Sequence, residues 1–455
     1  TGLYNTGLGA RALDLNTTGG SNTAVGTNAL GANISGSKNT AVGFGSLIAN
    51  TTGEDNVAIG AYTLDTNTTG GYNVSVGYYS LKANTTGNNN TALGYAVLRQ
   101  NTTAANNTAV GYYALNANTT GASNIAVGPY CLDANTTGGN NVAIGSSALS
   151  GNTTANDNTA VGNGAMDANT TGYANTAVGR GCLDLNTTGT HNTAIGIDTL
   201  DANTTGVGHT ALGGRALGGN TTANYNTAVG FQALMTNTTG TYNNAMGVNA
   251  MYLSTTGSNN VAIGNDALYS NTTGYWNVAI GYQALESNTV NGNSVAVGYK
   301  ALEASTEGNN TAVGMEALKA TTTGSYNTGI GQYALTANTT GLYNVAVGYE
   351  ALDANTTANH NTSVGFRALL SNTTGQYNTA LGSEALEENT TGNDNCAFGH
   401  QALENNTTGI QMVAVGRDAL FTNTTGSYNT ALGRDTLYYN STGASNTAVG
   451  VDALQ

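Results

Sequence analysis

Proline and tryptophan each occur once in 455 residues, cysteine three times, and only 8% of residues are charged. One proline beside 64 glycines, with no Gly-X-Y period, excludes a collagen triple helix. So little charge also argues against ordinary disorder, which combines low hydrophobicity with high net charge. Eleven Lys and Arg against 25 Asp and Glu leave a net charge of −14, with no basic footprint for nucleic acid. No apolar run approaches the ~18 residues of a membrane helix, so membrane insertion is not expected. No secretory leader pattern is visible and the first residue is not Met, so a mature or excised segment is expected.

Three cysteines make no disulfide framework. Cys131 and Cys182 occupy equivalent places three repeats apart. At ~4.8 Å per strand spacing that is about 14 Å, too far to bridge. Cys396 falls where the repeat elsewhere carries Thr or Val. All three read as small buried thiols.

The abundant residues are Gly, Asn, Thr and Ala, and they recur with a period of seventeen. The consensus is N-T-A-V-G-x-x-A-L-x-x-N-T-T-G-x-x, whose places are called columns one to seventeen below. Column five is glycine in all 27 copies, from Gly9 through Gly26, Gly43 and Gly60 to Gly450, with a single sixteen-residue step between Gly298 and Gly314. Column four is always apolar (Val25, Val42, Ile59), and column nine is always Leu or Met (Leu30, Leu47, Leu64; Met166 and Met251).

Seventeen residues cannot bury a face alone, but stacked copies can. Val, Ile and Thr around column three favour strand, and the recurring Gly and Asn defeat a helix. Asn-Thr-Thr-Gly is turn chemistry. Column fifteen accepts Ala at Ala104, Ala155, Ala223 and Ala358, so it does not demand positive φ, whereas the invariant column-five glycine marks a corner or a close backbone approach.

The expected fold is all-β: a parallel β-solenoid of 27 coils, one per repeat, forming a single continuous domain over 1–455 without caps, a segment of a longer fibre. Two strands per coil are expected, over columns two to five and six to ten. At ~4.8 Å per rung, 27 rungs make a rod about 130 Å long. Val25, Val42, Ile59, Leu30, Leu47 and Leu64 would form aliphatic ladders beside the Gly26, Gly43 and Gly60 column, and Asn in columns one and twelve would form amide ladders. Two cores are conceivable. Either Val and Leu fill the interior, or the small residues do and Val faces another chain. Both leave an apolar strip to cover, which favours an oligomer.

The pentads NVAIG (56–60, 141–145, 260–264, 277–281) and SVAVG (294–298) resemble the head repeats of trimeric autotransporter adhesins, and similar runs in bacteriophage tail fibres. The resemblance implies a left-handed β-roll of three chains, an extracellular, cell-surface or virion-fibre location, and adhesion. Ile59, Ile144, Ile263, Ile280 and Val297 would then be core or interchain residues. The family's repeats are shorter and lack the ANTTG insertion.

Of the 26 column-twelve loops, 22 read Asn-x-Ser/Thr, which makes Asn16, Asn50, Asn67, Asn84, Asn101, Asn118 and Asn135 candidate glycan acceptors, with the neighbouring Thr hydroxyls as alternatives. The plain alternative is that Asn and Thr are good turn and ladder residues. Acids recur in column ten at eleven rungs, with Asp167, Asp184 and Asp201 consecutive. Calcium could relieve their repulsion, but no calcium-loop spacing is present, and a solvated face is the simpler reading. Tyrosines gather in columns six, seven and seventeen, at Tyr78, Tyr79, Tyr112, Tyr113, Tyr326, Tyr343 and Tyr377 among others, with Trp276 in the last, where they can stack or bind sugars. His191, His209, His360 and His400 share no metal spacing. No catalytic constellation is visible, and no cofactor or metal is expected. The expectation is a non-enzymatic extracellular structural fibre that self-associates, as a trimer or end to end. The alternative is an adhesin head or phage receptor-binding fibre meeting cell-surface glycans or proteins.

Overall fold

A computed structural model describes residues 2–455 and divides the chain into two compact units, one ending at Asn226 and one spanning Thr227–Gln455. The first holds β1 (Thr6–Leu8) to β13 (Thr210–Leu212), and the second β14 (Thr227–Val229) to β27 (Thr447–Val449). Within each unit the architecture is a parallel β-solenoid, one coil per repeat.

Among the described residues every strand is three residues long and covers columns two to four, and within each unit successive strands pair in parallel, column on column: Thr23 with Thr40, Ala24 with Ala41, Val25 with Val42. In the second unit the sixteen-residue repeat drops its residue from the loop after Ser305, so the register survives, with Val295 facing Thr311 and Val297 facing Val313.

Among the described residues the expected second strand does not form. Columns six to ten are turns, because columns seven and nine are left-handed: φ is +61° at Asn28, +50° at Leu30, +56° at Tyr62 and +49° at Leu64. Column seventeen is left-handed too, as at Ser21 (+59°) and Tyr72 (+59°). Alternating hand lets a bending chain keep bonding along the axis. Asn28 N donates to Ala10 O of the preceding rung (2.9 Å), and Leu30 N to Ser46 O of the following one (3.0 Å). The conformation costs about 1–2 kcal/mol for each residue carrying a Cβ, offset by these bonds and by burial of the leucine.

This geometry explains the composition of those columns. A β-branched residue is a genuine outlier at positive φ, and columns seven, nine and seventeen contain no Val, Ile or Thr in any rung. Column-five glycine lies at φ +135° in Gly26 and Gly60, where a Cβ on Gly26 would stand 2.5 Å from Gly43 O.

With column three inward, the period of two turns columns two and four outward. Ala24, Ala41 and Ala58 are fully buried, as are column-eight alanines such as Ala29 and the column-nine leucines Leu30, Leu47 and Leu64. Of the two conceivable cores, the narrow one is present. Column-nine Leu is interior, whereas Val25 and Val42 are half-buried and Ile59 is 41% exposed. The aliphatic ladder expected of column four is therefore a surface feature, because a three-residue strand cannot turn both columns three and four inward.

Candidate functional site

The core is completed by amides. In column twelve, Asn33 Nδ2 donates to Asn16 Oδ1 of the preceding rung (2.8 Å) and to Gly36 O of its own turn (2.9 Å). The same pair recurs at Asn50, Asn67, Asn84, Asn101, Asn118 and Asn135. In column one the expected amide-to-amide bond forms at some rungs, as from Asn56 Nδ2 to Asn39 Oδ1 (3.1 Å) and from Asn73 Nδ2 to Asn56 Oδ1 (3.1 Å), and the backbone joins the ladder as well. Asn39 N donates to Asn22 Oδ1 (2.9 Å), while Asn39 Nδ2 reaches Gly53 O (2.8 Å). Each Asn thus closes its own turn and ties it to a neighbour, which satisfies most of the buried amides; where column twelve carries Ser254 or Thr321, and at Asn423, an oxygen stays buried without a partner.

These partners correct the view of column twelve as a glycan sleeve. Asn50, Asn67, Asn84, Asn101, Asn118 and Asn135 are fully buried, and both Nδ2 hydrogens of each are engaged. Asn16, in the first coil, is half-buried with Nδ2 on Gly19 O (3.0 Å). A sugar on Nδ2 would replace one of those hydrogens and need room that the packed turn lacks: a Cβ on Gly36 would already meet Asn33 Oδ1 at 2.6 Å. The adjacent column-thirteen hydroxyls are also committed, Thr51 Oγ1 donating to Thr68 O (3.0 Å), whereas column-fourteen Thr52 and Thr69 are exposed.

His209 takes the place of a column-one Asn and imitates it. Its Nε2 bonds Ala223 O (2.7 Å), and its Nδ1 accepts from Asn226 N (3.2 Å), which assigns the proton to Nε2. Burial pushes its pKa down, only partly opposed by those backbone bonds. Cys131 and Cys182 are buried and unbridged, their thiols donating to Ala143 O (2.9 Å) and Ala194 O (3.1 Å), and burial raises both pKa values to about 12. Cys396 lies half-buried on the outward strand face.

The column-ten acids lie along one side of the turn. Burial is the largest cause raising the pKa of Asp133, Asp184, Asp201 and Glu387, with nearby acids adding to it. Glu404 rises to about 7 through burial and then the charges of Glu384, Glu387 and Asp418. Arg367 relieves part of this, meeting Glu350 at 3.3 Å and Glu387 at 3.1 Å. Where column seven is Gly164 and Gly181, a depression of about 430 Å³ opens beside Asp167, Asp184, Asp198 and Arg180. Among the described residues, no three His, Cys, Asp or Glu converge as a metal site.

The outer surface carries two further features. Columns two and four present Thr, Val, Ile and Leu outward, and column six adds exposed aromatics. Rings stack along the axis in several runs. Tyr326, Tyr343, His360 and Tyr377 lie 5.0–5.1 Å apart with interplanar angles of 6–10°, and Tyr78, Tyr95 and Tyr112 lie 5.8 and 5.4 Å apart. No protein-family model matches the chain, and no curated protein is similar to it.

Proposed function

We propose that the chain is a non-enzymatic structural segment of an extracellular fibre, whose copies associate side by side through the outward strand face. One observation carries this reading. Columns two and four hold no charged residue in any rung of a chain with net charge −14. Yet column-four side chains stand open to solvent, Ile59 at 41%, Leu93 at 46% and Ile144 at 40%. An uncharged apolar strip repeated on every rung needs a cover. The surface that repeats with the same spacing is another copy of the strip. Three chains around a common axis is the arrangement implied by the resemblance to trimeric adhesin heads, and an extracellular place follows from the same likeness.

Sedimentation tests it. The chain is expected to sediment as an oligomer, and the triple variant Ile59→Glu, Leu93→Glu, Ile144→Glu as a folded monomer. A parent chain that is monomeric at every concentration refutes the reading. A second reading, a head that binds glycans, is favoured by the exposed aromatic columns.

A further inference from the structure

The aromatic surface is not evenly spread. In the first unit, columns six and seven bring Tyr78, Tyr79, Tyr95, Tyr112, Tyr113 and Tyr130 onto neighbouring rungs. Tyr78 and Tyr112 are 41% and 46% exposed. The rings form one continuous set: Tyr95 meets Tyr112 at 5.4 Å, Tyr112 meets Tyr113 at 4.6 Å, and Tyr113 meets Tyr130 at 6.1 Å.

The charge beside them is also unusual. Column ten carries acids in eleven rungs, but here it carries Lys82 and Arg99 on successive rungs. Between Asp65 and Asp133 these two cations are the only charged residues. Lys82 Nζ lies 4.7 Å and the Arg99 guanidinium 5.3 Å from the Tyr79 ring centre, so the cations border the aromatic set. Lys82 is also 4.0 Å from Asp65, while Arg99 has no carboxylate partner among the described residues.

We propose that this face of columns six, seven and ten is a binding site for an acidic polysaccharide. Phenol rims would meet sugar hydroxyls and C–H faces, and Lys82 and Arg99 would meet carboxylates. The inference rests on the second, glycan-binding reading above. Three features of the face select the ligand class. The rings extend over four successive rungs, with a cation on two of them, so a linear polymer lying along the face meets several groups at once, whereas a small molecule would use only one. The local charge is positive where the rest of the chain is strongly negative, which selects for an anion of modest charge density. And the column-six rings already stack on one another at 15–20°, which leaves no slot for the bases of a single-stranded nucleic acid.

Affinity electrophoresis and calorimetry of the full chain test this with polygalacturonate and hyaluronate. The controls are methyl-esterified polygalacturonate and poly-L-glutamate. Two double variants use residues these columns already tolerate. Tyr95→Ala with Tyr112→Ala follows Ala10 and Ala61 in column six, and Lys82→Asn with Arg99→Asn follows Asn116 in column ten. Circular dichroism confirms that both fold. Saturable, salt-sensitive binding of at least one acidic polysaccharide is expected, weakened at least tenfold by each double variant and by esterification. Binding of neither polymer overturns the proposal. So does equal binding by the variants, or poly-L-glutamate bound as tightly, which would mean that charge alone is read. The fibre reading is judged separately, by sedimentation.

Discussion

Removing one amide from the column-twelve ladder should open the solenoid locally, and the structure sets the size of the effect. Asn118 Nδ2 donates to Asn101 Oδ1 (3.0 Å) and Gly121 O (2.9 Å), and its Oδ1 accepts from Asn135 Nδ2 (2.9 Å). In Asn118→Ala, Gly121 O keeps the bond from Asn107 Nδ2 (3.0 Å). Asn101 Oδ1 loses its donor, and one hydrogen of Asn135 Nδ2 loses its acceptor, both in fully buried residues. A buried polar group left unsatisfied costs about 1–3 kcal/mol, so the two together cost about 2–6 kcal/mol. That is a large share of the 5–15 kcal/mol that holds a typical domain. Because each rung touches only its neighbours, the loss should stay near the cut. Hydrogen exchange read by mass spectrometry should show peptides covering 101–135 exchanging faster, while those near Leu30 and Leu200 keep their protection. Asn118→Ser, the residue present at Ser254 and Ser305, should cost less. If Asn118→Ala loses less than about 0.5 kcal/mol, the scale of an ordinary surface change, the ladder is not a stabilising element and the reasoning fails.

Column nine offers a conformational test. Leu149 sits at φ +54°, so Leu149→Ile should cost about 1–2 kcal/mol more than Leu149→Met in denaturant unfolding, and equal costs would contradict the left-handed assignment. His209 has a folded pKa below its ordinary 6.5, so the unfolded chain takes up a proton that the folded one refuses. Stability is therefore full above about pH 6.5 and lost as pH falls toward the folded value, a slope that His209→Asn should remove from the unfolding midpoints. Glu404 has the opposite sign. Its folded pKa, about 7 against an ordinary 4.5, gives stability that is complete below 4.5 and lost as pH rises through about 7. Glu404→Gln should raise the unfolding midpoint at pH 8 and lose that advantage at pH 4.

The stacking of rungs was legible because seventeen-residue identity leaves few other ways to bury a face. Column-five Gly and the asparagines likewise announced themselves by their uniformity. The direction of the strand was not legible. Val in column four outranks Ala in column three on any hydrophobicity scale, yet Ala24 is interior and Ile59 is open, because the coil is too thin for a larger inward residue beside Leu30 and Asn33. The glycan motif misled for a related reason. Asn-x-Thr specifies a chemistry, but in Asn50 or Asn84 the same amide is a structural bond, and only its burial separates the two. The missing second strand did leave a signal. Column nine takes Leu and Met but never Val or Ile, an exclusion that hydrophobic periodicity does not explain and left-handed backbone does.

That exclusion divides the repeat into places that build the coil and places free to vary. Columns one, three, five, eight, nine and twelve are held by burial, φ or amide bonding, and a change in them is felt by the next rung. Columns six and seventeen lie largely at the surface and columns seven and ten are half-buried, and all four take Tyr, Lys, Arg, Asp, Gln or His with little effect on the ladder, provided seven and seventeen avoid β-branching. A surface can therefore be written on one stretch of rungs without disturbing its neighbours. Lys82 and Arg99 beside the tyrosines are one such stretch, and the carboxylates of Glu384, Glu387, Glu404 and Asp418 are another. If the columns divide in this way, substitutions within the second stretch should leave hydrogen-exchange protection around the first unchanged. Coupling between them would mean that the rungs are not energetically local.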